Sequence, residues 1–447
     1  MYVAQAALVY AVAAPAVVFA VFGLLWLAGW NATERALTRA TAFTFATGIL
    51  ALIVVASTVF RTGGRAVEVS FGTWFAVHDY RFPLVLLADR LSVPFLLMTA
   101  VLIGLIGQFS ATYLHREPGF VRFFLLLHLF AFGSSVAFAA GSFDLLVGGW
   151  EVVGITSVLL IGFFHNRGAP VENGIRVFTV YRACDIGLLL AVFALHHWAG
   201  TTLFTRGVPD LSSAQSGIVS LLLLFAAAGK AAQVPFSEWL PRAMEGPTPS
   251  SAIFYGAISI HAGAYLLLRA MPLMADSWLA SALLIATGVI TAIHGTIVGR
   301  ASADAKTSLA YASLTQVGIV FVEIGFGWTT LAVCHILGHA TVRTLQFLRA
   351  PSMLHDYHQM HSAVGGELSP SGRHIEDLLP EPAQIWLYRW AMDRGHLDTL
   401  LERAVVHPLM KLSALLASMD RWTSPRRKRR REAAVETAGV QAAGGQG

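Results

Sequence analysis

Ionisable side chains recur in this chain inside runs otherwise apolar enough for a lipid bilayer. Glu151 stands between LLVGGW and VVGITSVLLIGFF, and Lys230 closes LLLLFAAAGK. Arg182 and Asp185 share one apolar segment, His261 and His294 lie in two others, and Glu323 is late in a further one. His335, His339 and Arg343 follow at four-residue spacing, which puts them on one helix face. Holding an ionised group at the bilayer centre costs about 3 kcal/mol or more unless it is paired or hydrated. Carboxylates, an amine and imidazoles in series suit a proton relay, because burial and neighbouring charges bring their titration toward neutral pH. Single members have plainer readings. Arg182 and Asp185, three apart, can form a structural ion pair; His294 alone reads as a hydrogen-bonded core histidine; Glu323 can reach interfacial water. Those readings explain poorly why such groups recur on separate helices.

Lys230 also marks a break. It begins the stretch KAAQVPFSEWLPRAMEGPTPSSA, in which Pro235, Pro241, Gly246, Pro247 and Pro249 interrupt helix formation. Inside a bilayer an interrupted helix is tolerated only where protein or water surrounds it, and transporters place ion sites at such breaks. A lysine there acts as a proton switch if a carboxylate can approach and withdraw, and Glu151 is the expected partner.

The elements that must position these groups are membrane spans. The chain has 447 residues, 55% hydrophobic and 13% charged, with mean hydropathy +0.62. Soluble proteins carry about 25% charge, and a transmembrane helix needs ~20 apolar residues. The fold expected is all-α, a polytopic membrane bundle. Its spans lie near 5–29, 36–60, 85–113, 120–141, 143–164, 175–198, 215–240, 247–270, 278–300, 304–326 and 329–349, the seventh broken. The first is too long, and lacks the basic flank, for a signal peptide. Between the second and third, a Gly-Gly turn followed by β-branched and aromatic residues predicts a small hairpin outside the lipid. Cys184 and Cys334 have no spacing that suggests a disulfide, an iron–sulfur cluster or a zinc site.

The membrane domain is expected over 1–350. Residues 351–381 read as a polar loop, and its His355, His358 and His361 as loop residues, since no cysteine or carboxylate completes a metal set. Residues 382–423 alternate apolar and charged residues at helical spacing, with Gly395 and Pro408 as dividers; they predict amphipathic helices on a membrane or a partner. Residues 424–447 form a low-complexity tail headed by the basic run Arg426–Arg431. That run points to anionic lipid headgroups rather than nucleic acid, and to a cytoplasmic C-terminus.

Several of these stretches resemble one family. The segment GKAAQVPFSEWLPRAMEGPTPSSA is similar to the broken seventh helix and following loop of the antiporter-like proton-translocating subunits of NADH:quinone oxidoreductase and Mrp cation/proton antiporters. GGWEVVGITSVLLIGFF resembles the family's helix-five glutamate segment and carries that role to Glu151. ADAKTSLAYASLTQVGIVF resembles its D-x-K segment and carries it to Asp304 and Lys306; HILGHATVRTLQFL resembles its H-x-x-x-H-A helix and carries it to His335 and His339. The resemblance covers roughly residues 85 to 350. Tyr255 stands where the quinone-oxidoreductase subunits have a histidine, with His261 later, and Arg343 stands for their lysine. No span is expected after Arg349, so the family's second broken helix has no expected counterpart.

Within that family, TVRTLQFLRAPSMLHDYHQM and the amphipathic C-terminal region resemble the membrane subunits of DAB-type inorganic-carbon accumulation complexes. That resemblance implies a bacterial inner-membrane protein that conducts protons or another cation. It also implies a cytoplasmic partner, a large soluble DabA-like subunit with carbonic-anhydrase-like zinc, and no cofactor in this chain. The alternatives are a subunit of a monovalent cation/proton antiporter or of a respiratory membrane arm and, from another class, a passive anchor for a soluble enzyme.

Overall fold

The computed structural model describes residues 1–447 apart from 31, 79, 207–210, 303, 365–378 and 424–447. Two helices open the chain, α1 Tyr2–Leu27 and α2 Glu34–Arg61, and a hairpin of β1 Val67–Val77 and β2 Tyr80–Ala88 follows. Next come α3 Ser92–Tyr113, α4 Phe120–Phe138, α5 Phe143–Ile161, α6 Gly168–Ala199 and α7 Ser213–Lys230. Short α8 Trp239–Arg242 and α9 Thr248–Ser251 lead through a π-helical turn, Ala252–Ala257, into α10 Ser259–Met274. The helices α11 Trp278–Ala301, α12 Ala305–Gly325, α13 Thr329–Val364 and α14 Glu381–Met392 complete one compact unit, which ends at Gly395. The second unit, from His396, holds α15 Leu397–Leu401 and α16 His407–Thr423.

Ten helical stretches among the described residues are long and apolar enough to cross a membrane. The eleventh expected span forms the first part of α13 but is not one of the ten, because His335, His339 and Arg343 dilute its apolar run. This helix continues to Val364 through residues expected as loop; after Pro351 no glycine or proline interrupts it until Gly365. His355, His358 and His361 therefore lie on a helix, and their side chains fall outside the described ones.

Polar residues set the helix starts. The side chains of Thr33, Ser142, Ser277 and Asp304 each accept a backbone N–H of the first turn, and Ser212 with Gln215 forms a capping box. The third span starts later than expected. Val85–Ala88 pair with Val67–Ser70 in the antiparallel hairpin, so α3 begins only at Ser92, where Asp89 Oδ1 accepts from the N–H groups of Leu91 and Ser92. The hairpin expected between the second and third spans is present and is tied to the α4–α5 link, Leu87 N donating to Ala139 O and Gly141 N to Val85 O.

Helices α11 and α12 pack closely through glycines. A Cβ on Gly288 would sit 2.5 Å from Gly318 O, and one on Gly318 would sit 2.7 Å from Gly288 O. Small residues are what allow such backbone approach where lipid supplies no hydrophobic drive. The helices α5, α6, α7 and α10 pack in sequence around the break, and α13 packs on α12 and on the π-helical turn.

Candidate functional site

The seventh span ends at Lys230 itself, not near 240 as expected. Ala232 turns left-handed at φ +54°, and the Val234–Pro235 bond is cis. The freed carbonyls find partners: Gly229 O accepts from Trp239 Nε1 at 2.9 Å, and Ala228 O from Gln233 N at 2.8 Å. Val234 N donates to Thr291 Oγ1 of α11 at 3.0 Å. Pro241 does not break the chain; it sits in α8, where the first turn needs no N–H. Gly246 and Pro247 link α8 to α9, and Pro249 lies in the first turn of α9.

Lys230 is 1% exposed. Its ammonium donates to Trp150 O at 3.2 Å and lies 4.7 Å and 4.3 Å from the ring centres of Trp150 and Tyr181. Trp150 and Gly154 share one face of α5, and Tyr181 and Asp185 one face of α6. A Cβ on Gly154 would stand 3.0 Å from Nζ, so glycine leaves the space the ammonium occupies.

The Glu151–Lys230 pair expected from the sequence is not direct. Glu151 pairs with Arg182, which also donates to Asp185 Oδ2 at 2.6 Å. Trp150 Nε1 donates to Asp185 Oδ1 at 2.5 Å. Among the described residues no carboxylate lies within ion-pair distance of Nζ. Arg182 and Asp185 thus form the anticipated pair, and Arg182 also bridges the two carboxylates in a balanced four-charge cluster. The aromatic walls of the lysine site, Trp150 and Tyr181, were missed. Their only signal is adjacency to Glu151 and Arg182.

Beyond the lysine lies a histidine row. A Cβ on Gly263 would stand 2.6 Å from Ala227 O, so α10 and α7 touch near His261. His261 Nε2 and His339 Nδ1 share a hydrogen bond of 3.0 Å. The His335 and His339 ring centres are 6.4 Å apart, and His335 bonds Glu323 Oε1 and Gln316 Oε1, both at 2.9 Å. Glu323 Oε1 thus meets a histidine, and Gln316 is a member the sequence reading overlooked. Buried polar atoms in this region have no protein partner among the described residues: Glu323 Oε2, His339 Nε2, Arg343 Nε and the hydroxyls of Ser250, Ser251, Ser259 and Thr344. Buried polar groups are normally satisfied, and these atoms are ones that water can satisfy.

Other expected members lie elsewhere. Asp304 is exposed and caps α12, accepting from Thr307 N at 2.7 Å. Lys306 Nζ donates to Thr248 Oγ1 at 2.9 Å, and Thr248 Oγ1 also bonds Tyr113 Oη at 3.1 Å. Tyr255 lies in the π-helical turn, its side chain outside the described ones. A separate cluster gathers Tyr80, Thr202 and His196 on buried Asp144; His196 Nε2 lies 2.9 Å from its Oδ1. Burial and the Asp144 carboxylate push the Tyr80 hydroxyl up to about 12. No group of three or more His, Cys, Asp or Glu placed to hold a metal occurs among the described residues.

Comparison with known proteins fits this geometry. The family described as NADH:quinone oxidoreductase/Mrp antiporter, TM, matches residues 140–368, and that described as NADH-ubiquinone oxidoreductase (complex I), chain 5 N-terminus, matches 74–124. The chain is 33% identical to NADH-quinone oxidoreductase subunit L of Mycobacterium tuberculosis over 66% of its own length and 47% of that protein's. It is 32% identical to NADH-ubiquinone oxidoreductase chain 5 of Cryptococcus neoformans, over 68% and 46%. It thus spans about half the length of the curated relatives it matches. Among solved structures, the Mrp complex from Dietzia sp. DQ12-45-1b aligns with TM-score 0.64 at 26% identity, over 75% of this chain and 36% of that one. An archaeal membrane-bound sulfane sulfur reductase shares the fold, with TM-score 0.68 at 21% identity over 77% and 70%.

Proposed function

Since the chain belongs to the NADH:quinone oxidoreductase/Mrp antiporter family of membrane subunits, we propose that it conducts protons across a membrane as one subunit of a larger assembly. One observation carries the reading: a fully buried lysine at a helix break, beside an Arg-bridged carboxylate pair and close to a hydrogen-bonded histidine row. Such a row has no structural need for so many orphaned polar atoms, and water beside them supplies proton carriers.

Arg182 holds Glu151 and Asp185 together, and release of either changes the field at Lys230. When Glu151 loses Arg182, the ammonium has a carboxylate to approach and keeps its proton. When Arg182 returns, the ammonium faces only aromatic rings and a carbonyl, and gives its proton to water toward His261. His339 and His335 pass it on toward Glu323. No bond other than O–H and N–H is made or broken by this chain.

The finer reading is a two-component inorganic-carbon uptake complex of a bacterial inner membrane. The C-terminus is cytoplasmic, and zinc sits in a large soluble DabA-like partner. It is supported by the resemblance of residues 341–360 and by amphipathic helices that follow the bundle. The similarity to subunit L and to the Mrp complex favours a second reading, a respiratory or Mrp-type membrane arm. Purification from native membranes separates the two: one large zinc protein supports the first, a set of membrane subunits the second. Proton flux of the purified assembly in proteoliposomes tests conduction. Lys230→Ala is expected to abolish it at equal protein level. Wild-type flux in that variant leaves only a passive anchor.

A further inference from the structure

The histidine row ends in a guanidinium without a counter-charge. Arg343 follows His339 by one helical turn on the same face of α13. The two side chains are buried, at 9% and 8% exposure. An arginine keeps its charge, so burial does not neutralise it. Among the described residues no carboxylate lies within ion-pair distance of Arg343, and its Nε has no acceptor. Glu323, the carboxylate that meets this helix, is held by His335 two turns away.

Unpaired hydroxyls gather at the same junction. Thr344 follows Arg343, and a Cβ on Gly256 would stand 2.6 Å from its Oγ1, so the π-helical turn lies against it. Ser250 and Ser251 belong to α9, which packs on α13. All three residues are fully buried, and none of their hydroxyls has a partner among the described residues. His339 Nε2 is unpaired too, one turn from the unpaired Arg343 Nε. At the start of α9, Lys306 donates to Thr248 Oγ1 at 2.9 Å, a second cation with no carboxylate at ion-pair distance among the described residues. Water can satisfy the hydroxyls, but it does not cancel a buried charge. An anion does both, because it accepts from N–H and O–H groups together.

We infer that the junction of α9, the π-helical turn and α13 binds a small monovalent anion, chloride or hydrogencarbonate, on Arg343, and that the bound anion favours a proton on His339. One guanidinium calls for one negative charge. The binding stands apart from the proposed conduction; its effect on the histidine row rests on that reading. The groups facing His339 are His261 of α10 and His335 and Arg343 of α13, with Glu323 of α12 reached through His335. With the site empty, Arg343 opposes a second positive charge one turn away. With the anion in place that opposition is cancelled, and His339 accepts a proton passing along the row. Anion occupancy and proton occupancy thereby raise each other.

The test uses the full chain with its co-purified partners, exchanged into gluconate, an anion too large for a buried site. Equilibrium dialysis with radiolabelled chloride and, separately, hydrogencarbonate is expected to show saturable binding of one anion per chain; the anion that displaces the other at lower concentration is the one the site prefers. Arg343→Lys is expected to keep binding, and Arg343→Gln to weaken it at least about tenfold, as for loss of a charge-assisted hydrogen bond. No saturable binding of either anion to wild type, or unchanged binding in Arg343→Gln, overturns the site. If Arg343→Gln does not fold, Ser250→Ala/Ser251→Ala replaces it with the same criterion. Chloride affinity of wild type is expected to rise as pH falls from about 8 to about 5, and a rise equally steep in His339→Asn overturns the link to His339. In proteoliposomes, gluconate in place of the small anions is expected to slow proton flux about tenfold, the size of an ordinary coupling between sites. Flux that ignores the anion but is abolished by Lys230→Ala removes the anion from the path and leaves conduction standing. Flux unchanged by Lys230→Ala defeats conduction itself, while dialysis still decides the anion site.

Discussion

Gly154 gives Lys230 its place, since a methyl there would stand 3.0 Å from the ammonium. The flexible end of the lysine is what must yield, so Gly154→Ala should cost only about 1 kcal/mol of stability while moving the charge off Trp150 O. Proton flux is expected to fall far more than the melting temperature does, and equal losses in both would reduce Gly154 to a packing residue. At this scale the sequence named the actors better than the pairings. Glu151, Arg182, Asp185 and Lys230 were legible because buried charges are costly and rare. Which carboxylate meets which cation depends on helix rotation, and Arg182 rather than Lys230 reaches Glu151. His294 read as a core histidine because Glu238 and Trp390, distant in sequence, are what it meets.

Between elements, the hairpin-to-α3 corner is held by Asp89. Arg269 of α10 donates to both its oxygens, at 2.5 and 3.0 Å. Burial opposes ionisation of Asp89, but the Arg269 hydrogen bonds and charge, with the Ser92 N–H and hydroxyl, outweigh it and hold the carboxyl below its ordinary range. The stabilisation is complete above the unfolded carboxyl's range and is lost as pH falls through the folded value. On lowering from about pH 5 to about pH 3, the melting temperature of wild type should fall more than that of Asp89→Asn. Parallel curves would count against this. The corner also shows what patterning hides. A short apolar run such as Val85–Ala88 fits a strand or a buried helix equally, and only its pairing with Val67–Ser70 decides. The break after Lys230 was legible because proline and glycine act locally. It falls directly after Lys230, as expected, with the left-handed turn at Ala232 ahead of the prolines.

At the scale of the molecule, the chain divides after Gly395. In the second unit Leu412, Leu415, Leu416 and Met419 are exposed at the spacing of one face of α16. Gly395 divides this region as expected, whereas Pro408 sits in the first turn of α16, where proline is tolerated. Truncation after Gly395 should leave a membrane domain of unchanged melting temperature that no longer retains its partner in a pull-down. Full recovery of the partner would place docking on the bundle. The four charges around Arg182 carry a different consequence, one for selection experiments. Glu151 and Asp185 balance Arg182 and Lys230, so losing any one leaves an uncompensated charge in the cluster. Selection for restored protein abundance in an Arg182→Ala strain should therefore yield second-site changes that neutralise Glu151 or Asp185. Such revertants would accumulate normally and still fail to transport, so genetics alone would separate tolerance of the cluster from its use.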